Sequence, residues 1–283
     1  MPQKKGALDR IRDRLQANRN RLTYVLLLLG GLLGLAGWAL LPEVVAIHAQ
    51  QAANIGKNTI LLAEKMGVDT VVTFSGCPGD CPESKRPNWV TCAWPPEYGE
   101  TLEYQWNDVL IPYWKKAADI AKSYGVKKIA FEMHPGFCVY NPATLLRLRA
   151  AVGDILGANF DPSHLLWQGV TPHLFLRDFM DRVYHVHMKD AAVTLDGRSG
   201  LLGSHIDFGD LRRGWNFRSL GHGDVNFEEI IRVLNAAGYD GPLSVEWEDS
   251  GMDRIEGATE AAAFVKKVDF KKSDVKFDDA IAN

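Results

Sequence analysis

The chain has 283 residues, of which 46% are hydrophobic, and a net charge of -3, which suits one large α/β domain of barrel size. The charge is uneven: the first 21 residues carry seven basic and two acidic side chains, and the remainder carries 25 basic and 33 acidic ones, a net of -8. Because an acidic body lacks the positive surface that binds a phosphate backbone, nucleic acid is not the expected substrate or partner.

The amino-terminal segment is predicted to differ from the rest of the chain. Residues 22–41 form an uncharged, Leu- and Gly-rich run directly after the basic residues, which has the length and flanks of a membrane anchor with a cytoplasmic amino end. The alternative is an amphipathic helix at 7–18 followed by a buried barrel strand at 22–28. The predicted divisions are the basic and apolar segment 1–41, a barrel domain 42–270 and a charged tail 271–283, in a protein that is otherwise cytoplasmic.

Strand and helix patterns alternate through the rest of the chain. Period-two patterns predict strands within 68–75, 129–136, 157–161, 184–190 and 243–249. Period-3.6 patterns and caps predict helices at 42–66, 101–124, 141–152, 172–180, 226–238 and 254–268. Two long insertions, 76–98 and 191–221, interrupt this order. The connections are long enough for parallel pairing, so the class is α/β. Five strand–helix units are recognisable, and a closed eight-stranded barrel needs three more.

Ionisable side chains end four successive predicted strands. The residues are Glu132 and His134, then Asp161 and His164, then His187 and Lys189, and finally Glu246. A single strand histidine is more often a hydrogen-bonded structural residue than a ligand. If the strands are parallel neighbours in a barrel, these four strand ends would converge at the carboxyl-terminal end of that barrel.

The insertion at 76–98 contains two tryptophans, Trp89 and Trp94. Loops of this length in a compact domain are usually functional. The two rings could form an apolar wall against a sugar, or they could fix the loop in place, and the sequence leaves both readings open.

The four cysteines are Cys77, Cys81, Cys92 and Cys138. Their spacing fits neither a CxxC redox pair nor a structural zinc site. Free thiols in a reducing compartment are expected, and a bond between Cys77 and Cys81 would be expected only in an exported protein.

Four motifs resemble the xylose isomerase-like TIM barrels, in particular the sugar phosphate isomerase/epimerase group, which includes inosose dehydratases, ketose 3-epimerases and endonuclease IV. The motifs are Phe-Glu-Met-His-Pro-Gly at 131–136, Phe-Asp-Pro-Ser-His at 160–164, His-Val-His-Met-Lys-Asp at 185–190 and Leu-Ser-Val-Glu at 243–246. The resemblance covers roughly residues 49–267 and implies a (β/α)8 barrel whose first strands are atypical or missing.

The resemblance implies a metal site made by Glu132, Asp161, His187 and Glu246, with His164 as a substrate-binding histidine. Such an oxygen-rich set suits one divalent ion, Mn²⁺ first and Co²⁺, Mg²⁺ or Zn²⁺ as alternatives. The ion would chelate the carbonyl and hydroxyl of a sugar or cyclitol, phosphorylated or not, while Glu132 and Glu246 exchange a carbon-bound proton. His134 is a further expected substrate contact, and Lys189 or Arg218 could neutralise an oxyanion or phosphate, although Arg218 could equally lie solvated on the surface.

Departures from the family pattern leave the substrate open. The ketose 3-epimerases carry a Glu six residues after the first metal Glu and an Arg six after the metal His, where this chain has Cys138 and Val193.

The leading expectation is a metal-dependent isomerase, epimerase or dehydratase. The alternatives are a non-catalytic, truncated or membrane-tethered barrel that binds a sugar or a partner, and an endonuclease IV-like phosphodiesterase. The oligomeric state is open, a homo-oligomer included.

Overall fold

A computed structural model describes residues 56–273. The segment 1–41, with its predicted anchor at 22–41 and the alternative helix and strand, lies outside the described residues, as does the tail from 274 onward. Within 56–273, no helix combines the length and the apolar character that a membrane span requires.

Strands and helices alternate in the described chain, as the sequence predicts. The strands are β1 (Thr70–Thr73), β2 (Lys128–Glu132), β3 (Leu156–Phe160), β4 (Val183–Met188), β5 (Asp190–Val193), β6 (Trp215–Arg218) and β7 (Leu243–Val245). The helices are α1 (56–66), α2 (Pro96–Glu103), α3 (Ile111–Ser123), α4 (Pro142–Val152), α5 (Pro162–Leu166), α6 (Pro172–Phe179), α7 (Phe227–Ala237) and α8 (Arg254–Val268). Short 3-10 turns occur at Met180–Arg182, Leu202–His205 and Leu211–Arg213.

The described chain forms two compact units. The first contains residues 56–160 and Arg182–Val186, and the second contains Asp161–Asp181 and the chain from His187 onward. The strand β4 passes from one unit to the other, so its last residues belong to the second unit.

The first unit is built on parallel strands in the order β1, β2, β3, β4. Its core lies between this sheet and the flanking helices: Trp114 of α3 packs edge-on against Phe131 of β2, with ring centroids 4.5 Å apart. The indole of Trp114 also donates to the Ser75 carbonyl at 2.9 Å. The side chains of Phe131, Leu148 and Phe160 are wholly buried. This burial fixes which face of each strand points inward.

A π-helical segment, Tyr104–Leu110, joins α2 to α3. The sequence predicts one regular helix at 101–124 here. Pro112 explains the difference, because proline has no N–H and its ring clashes with the carbonyl four residues earlier in a regular helix. The widened turn accommodates this: the N–H of Ile111 bonds to the carbonyl of Trp106, five residues back.

The helix α4 begins with a capping box. The Asn141 side chain accepts from the Thr144 N–H at 3.0 Å, and the Thr144 hydroxyl accepts from the Asn141 N–H at 3.1 Å. We expect Asn141→Ala to lower the free energy of unfolding by about 1 kcal/mol, because it leaves an N-terminal N–H of the helix without its acceptor. Urea unfolding measures the change. Asn141→Asp is the matched control and should unfold like the wild type, since it keeps an acceptor at the same place.

The second unit contains a hairpin that the sequence did not predict. The strands β5 and β6 pair antiparallel, from Asp190 opposite Arg218 to Val193 opposite Trp215. The predicted insertion at 191–221 thus begins and ends in ordered strands, which the sequence did not indicate. Trp215 stacks on Trp167 with ring centroids 4.4 Å apart, and this buried pair holds the hairpin against the chain that follows α5.

The second unit also contains β7 beside the end of β4. The N–H of Glu246, directly after β7, donates to the carbonyl of Met188, the last residue of β4, at 3.1 Å. The helices α6 and α7 pack together, with Leu176, Ile230 and Ile231 almost wholly buried. The end of β7 is therefore fixed next to the end of β4, where the ionisable residues lie.

Candidate metal centre

Three of the four predicted ligands meet within the second unit. Asp161 follows β3, His187 is the penultimate residue of β4, and Glu246 follows β7. One ligand atom of each lies within 4.8 Å of the others. Asp161 and His187 are each 1% exposed, whereas Glu246 is partly exposed. The arrangement is thus a cluster of two carboxylates and an imidazole, open to solvent on the side of Glu246.

Asp161 is held in position by the start of α5, which it caps. Its Oδ1 accepts from the N–H of Ser163 at 2.8 Å and from the Ser163 hydroxyl at 2.7 Å. Its Oδ2 lies 3.6 Å from Nε2 of His164. Because Oδ1 accepts both hydrogen bonds of the cap, the carboxylate of Asp161 cannot rotate freely.

His187 and Glu246 contact each other, with Nδ1 of His187 2.6 Å from Oε2 of Glu246. Lys189, which is 3% exposed, lies between two carboxylates: its Nζ is 3.2 Å from Oε1 of Glu246 and 3.0 Å from Oε2 of Glu248. Glu246 therefore directs one oxygen toward the imidazole and the other toward the ammonium group, and Lys189 compensates part of the negative charge of the cluster.

An aromatic side chain borders this cluster. The ring of Phe217 in β6 lies edge-on to His164, with centroids 5.4 Å apart, and Nζ of Lys189 is 4.3 Å from the centre of the same ring. Phe208 stacks on Phe217 with ring centroids 5.5 Å apart and is half exposed. Sequence reasoning missed Phe217, because only the hairpin, formed by pairing across 22 or more residues, brings it to the site.

Glu132 and His134 lie in the first unit. Glu132 is the last residue of β2 and is 3% exposed, and the Asn159 amide donates to its Oε2 at 3.0 Å. A ligand atom of Glu132 lies within 4.8 Å of one of His134. The His134 ring lies edge-on to Phe74 and Phe137, with centroids 5.4 and 5.5 Å away.

The other predicted substrate contacts have different surroundings. Trp89 packs edge-on against Tyr140 with centroids 5.4 Å apart, whereas Trp94 is 76% exposed. Packing of this kind favours the role of Trp89 in fixing the loop. Arg218 lies 3.7 Å from Asp249, so a carboxylate of the chain already compensates its charge. Substrate contact by Trp89, Trp94 and Arg218 remains a prediction.

Asp190 is a buried carboxylate that the sequence analysis did not identify as structural. Burial raises the pKa of Asp190, and backbone N–H groups that bond to the carboxylate act in the opposite direction. Four of these N–H groups donate to it, from Ala191, Gly221, Gly223 and Val225, at 2.9 to 3.1 Å. Gly223 must be glycine, because a Cβ there would lie 2.3 Å from Oδ1 of Asp190. Asp190 thus anchors the chain that leaves β6.

The donor set fits a hard divalent cation. Carboxylate oxygens and one imidazole suit Mg²⁺, Mn²⁺ or Co²⁺, and no thiol takes part, which disfavours a site for soft metals. The Ser163 contacts of Asp161 orient its carboxylate as outer contacts orient metal ligands.

Comparison with known proteins supports the same family as the motifs. A family model described as "Xylose isomerase-like TIM barrel" matches residues 1–268. The uncharacterized protein YfiH of Bacillus subtilis is 40% identical over 220 residues, which cover 76% of this chain and 70% of YfiH. An inosose dehydratase of Clostridium perfringens is 30% identical over 161 residues, which cover 54% of this chain and 51% of the dehydratase.

Among solved structures, a D-tagatose 3-epimerase-like protein superimposes with a TM-score of 0.53 at 21% identity, covering 79% of this chain and 70% of that protein. This likeness concerns the fold. The chain spans about half the length of the inosose dehydratase that it matches. The family model matches residues 1–268, YfiH is 40% identical, and the architecture is α/β. The chain therefore belongs to the xylose isomerase-like TIM barrel family.

Proposed function

We propose that this protein is a divalent-metal-dependent isomerase, epimerase or dehydratase that acts on a sugar or cyclitol by moving a proton at the carbon next to a carbonyl. The observation that carries the proposal is the convergence of Asp161, His187 and Glu246. Similarity to an inosose dehydratase supports a polyhydroxylated ring or chain as the substrate. Mn²⁺ is the proposed ion, since the site has more oxygen than nitrogen donors.

Glu132 is the proposed fourth ligand. In the first unit, Glu132 pairs in register with Asn159, and Asn159 pairs with His185. The chain reaches Asp161 and His187 two residues after these partners, and side chains two residues apart along a strand point to the same face. The parallel register therefore supports a common direction for the side chains of Glu132, Asn159 and His185 within the first unit.

In the proposed reaction, each residue near the cluster has a distinct task. Asp161, His187 and Glu246 would hold the divalent ion, whose positive charge would stabilise the oxyanion that develops when the carbon-bound proton leaves. Glu246 removes or returns the proton, because its carboxylate is the most exposed of the three and its position is fixed by His187 and Lys189. Lys189 offers a cationic donor to a substrate oxygen, and the Phe217 face excludes water from the side that it covers.

Metal content and proton exchange test the proposal on the full-length protein. We expect about one Mn²⁺ per chain after dialysis, and uptake of deuterium from heavy water into a ketose or an inosose in a panel that includes ketose phosphates. A protein that takes up metal and exchanges no substrate proton would support a binding role for the barrel. A protein that takes up no divalent metal would contradict the proposal.

Single substitutions test the ligand set. We expect Asp161→Asn and Glu132→Gln each to weaken Mn²⁺ binding by at least about tenfold, since each removes a charged oxygen donor. Equilibrium dialysis measures the affinity. Glu248→Gln is the matched control, because it removes a nearby carboxylate that contacts Lys189 and belongs to no proposed ligand pair. If only Glu132→Gln binds metal like the wild type, Glu132 is not a ligand.

A further inference from the structure

Two cysteines that are distant in the sequence lie side by side in the first unit. Cys77 follows β1 and Cys138 follows β2. The Cys138 N–H donates to the carbonyl of Gly76 at 3.0 Å, and the next residue, Val139, donates its N–H to the Ser75 hydroxyl at 2.9 Å. These two bonds join the backbone on either side of the cysteines and place Cys77 and Cys138 opposite each other on neighbouring segments.

Further contacts fix the loop that carries Cys77. The Gln105 side chain donates to the carbonyls of Pro78 and Asn88 at 2.8 and 2.6 Å. The Trp114 indole donates to the Ser75 carbonyl at 2.9 Å. Because these donors come from the π-helical segment and α3, they fix the backbone before and after Cys77. The segment that carries Cys77 is therefore held next to the segment that carries Cys138.

The surroundings of the two thiols are unequal. The hydrogen bond from Cys138 lowers the pKa of Cys77, and the Asn88 N–H adds to this against the effect of burial. The same hydrogen bond, together with burial, raises the pKa of Cys138. Cys77 is partly exposed and Cys138 is buried. Cys77 is thus the thiol that an oxidant can reach as a thiolate, and Cys138 is the protonated neighbour.

We infer that Cys77 is a site of oxidation by hydroperoxides and that Cys138 resolves the product to a reversible disulfide. The Cys77 thiolate attacks one oxygen of hydrogen peroxide, the O–O bond breaks, and Cys77 sulfenic acid and hydroxide are formed. The Cys138 sulfur then attacks the Cys77 sulfur, the S–O bond breaks, and the thiol proton leaves with the hydroxyl group as water. In sum, two thiols are oxidised and one peroxide is reduced to two waters. A thiol reductant reverses the change.

The experiment uses the full-length protein with the two exposed cysteines replaced, Cys81→Ser and Cys92→Ser, so that only the pair remains. Equimolar hydrogen peroxide is added, remaining thiols are alkylated, and tryptic peptides are analysed without reductant. Residues 66–85 and 129–147 then hold one cysteine each. We expect a cross-linked peptide that has lost two hydrogen atoms and that dithiothreitol separates. The matched control, which also carries Cys138→Ser, should give sulfenic or more highly oxidised Cys77 and no cross-link.

Two results with the protein that keeps only Cys77 and Cys138 would overturn the inference. One is that both thiols remain alkylatable after peroxide, and the other is that Cys77 oxidises to a sulfinic acid in the presence of Cys138 with no cross-link. In the protein with all four cysteines, a bond between Cys77 and Cys81 in place of the expected one would also contradict it. The test does not use metal or substrate, so its outcome is independent of the proposed reaction.

Discussion

Glu246→Gln is expected to lower the rate of substrate proton exchange by about 10²- to 10⁴-fold, the usual contribution of a general base. Glutamine has nearly the same shape as glutamate, but its amide cannot accept the proton. The substitution also changes a contact of 2.6 Å with His187 and one of 3.2 Å with Lys189. We therefore expect weaker metal binding as well. For this reason the proton-exchange rates of the variant and of the wild type are compared with both proteins saturated with Mn²⁺.

Deuterium uptake at saturating metal, followed by NMR, measures this loss. Glu248→Gln is again the matched control, since it makes the same chemical change 3.0 Å from the same Lys189 ammonium. Its rate should stay within a fewfold of the wild type. Equal losses in the two variants would mean that Glu246 acts only through the charge balance at Lys189, and the role of base would have to be given to another residue.

The local parts of the site could be predicted from the sequence. Asp161 and Glu246 directly follow short strands and His187 lies near the end of one. Because parallel strands bring their carboxyl ends to one edge, the three residues could be grouped without knowledge of the contacts. The helix α4 was predictable for a similar reason, because Asn141 and Pro142 are a local start signal. In both cases the deciding information lies within a few residues.

Contacts between distant segments could not be predicted in this way. Cys77 was compared with Cys81, four residues away, but its neighbour in the fold is Cys138. The hairpin of β5 and β6 was missed because a long connection between the strands hides the pairing from any local pattern. The π-helical turn was missed because the sequence shows that Pro112 disturbs a helix but not how the helix accommodates it.

The Asp190 carboxylate is the clearest of these distant contacts. Its two oxygens serve different parts of the chain: Oδ1 accepts from Ala191 and Val225, and Oδ2 accepts from Gly221 and Gly223. Asp190 is wholly buried. In the sequence it looks like one more polar residue after a strand, whereas in the fold it holds the connection that leads from β6 to α7.

Asp190→Asn is therefore expected to lower the free energy of unfolding by about 2–4 kcal/mol. An asparagine has one acceptor oxygen, so two of the four N–H groups lose their partner and instead face the donors of the side-chain amide, and each unsatisfied buried N–H costs about 1–3 kcal/mol. Urea unfolding followed by circular dichroism measures the change from the midpoint and slope. Asp224→Asn is the matched control: Asp224 Oδ2 accepts a single N–H, that of Val193, at 2.7 Å near the surface, and asparagine can still accept it, so we expect a loss below about 0.5 kcal/mol. If both variants unfold at the same urea concentration, the four hydrogen bonds of Asp190 do not stabilise the fold beyond what an exposed carboxylate does, and the anchoring role assigned to it is wrong.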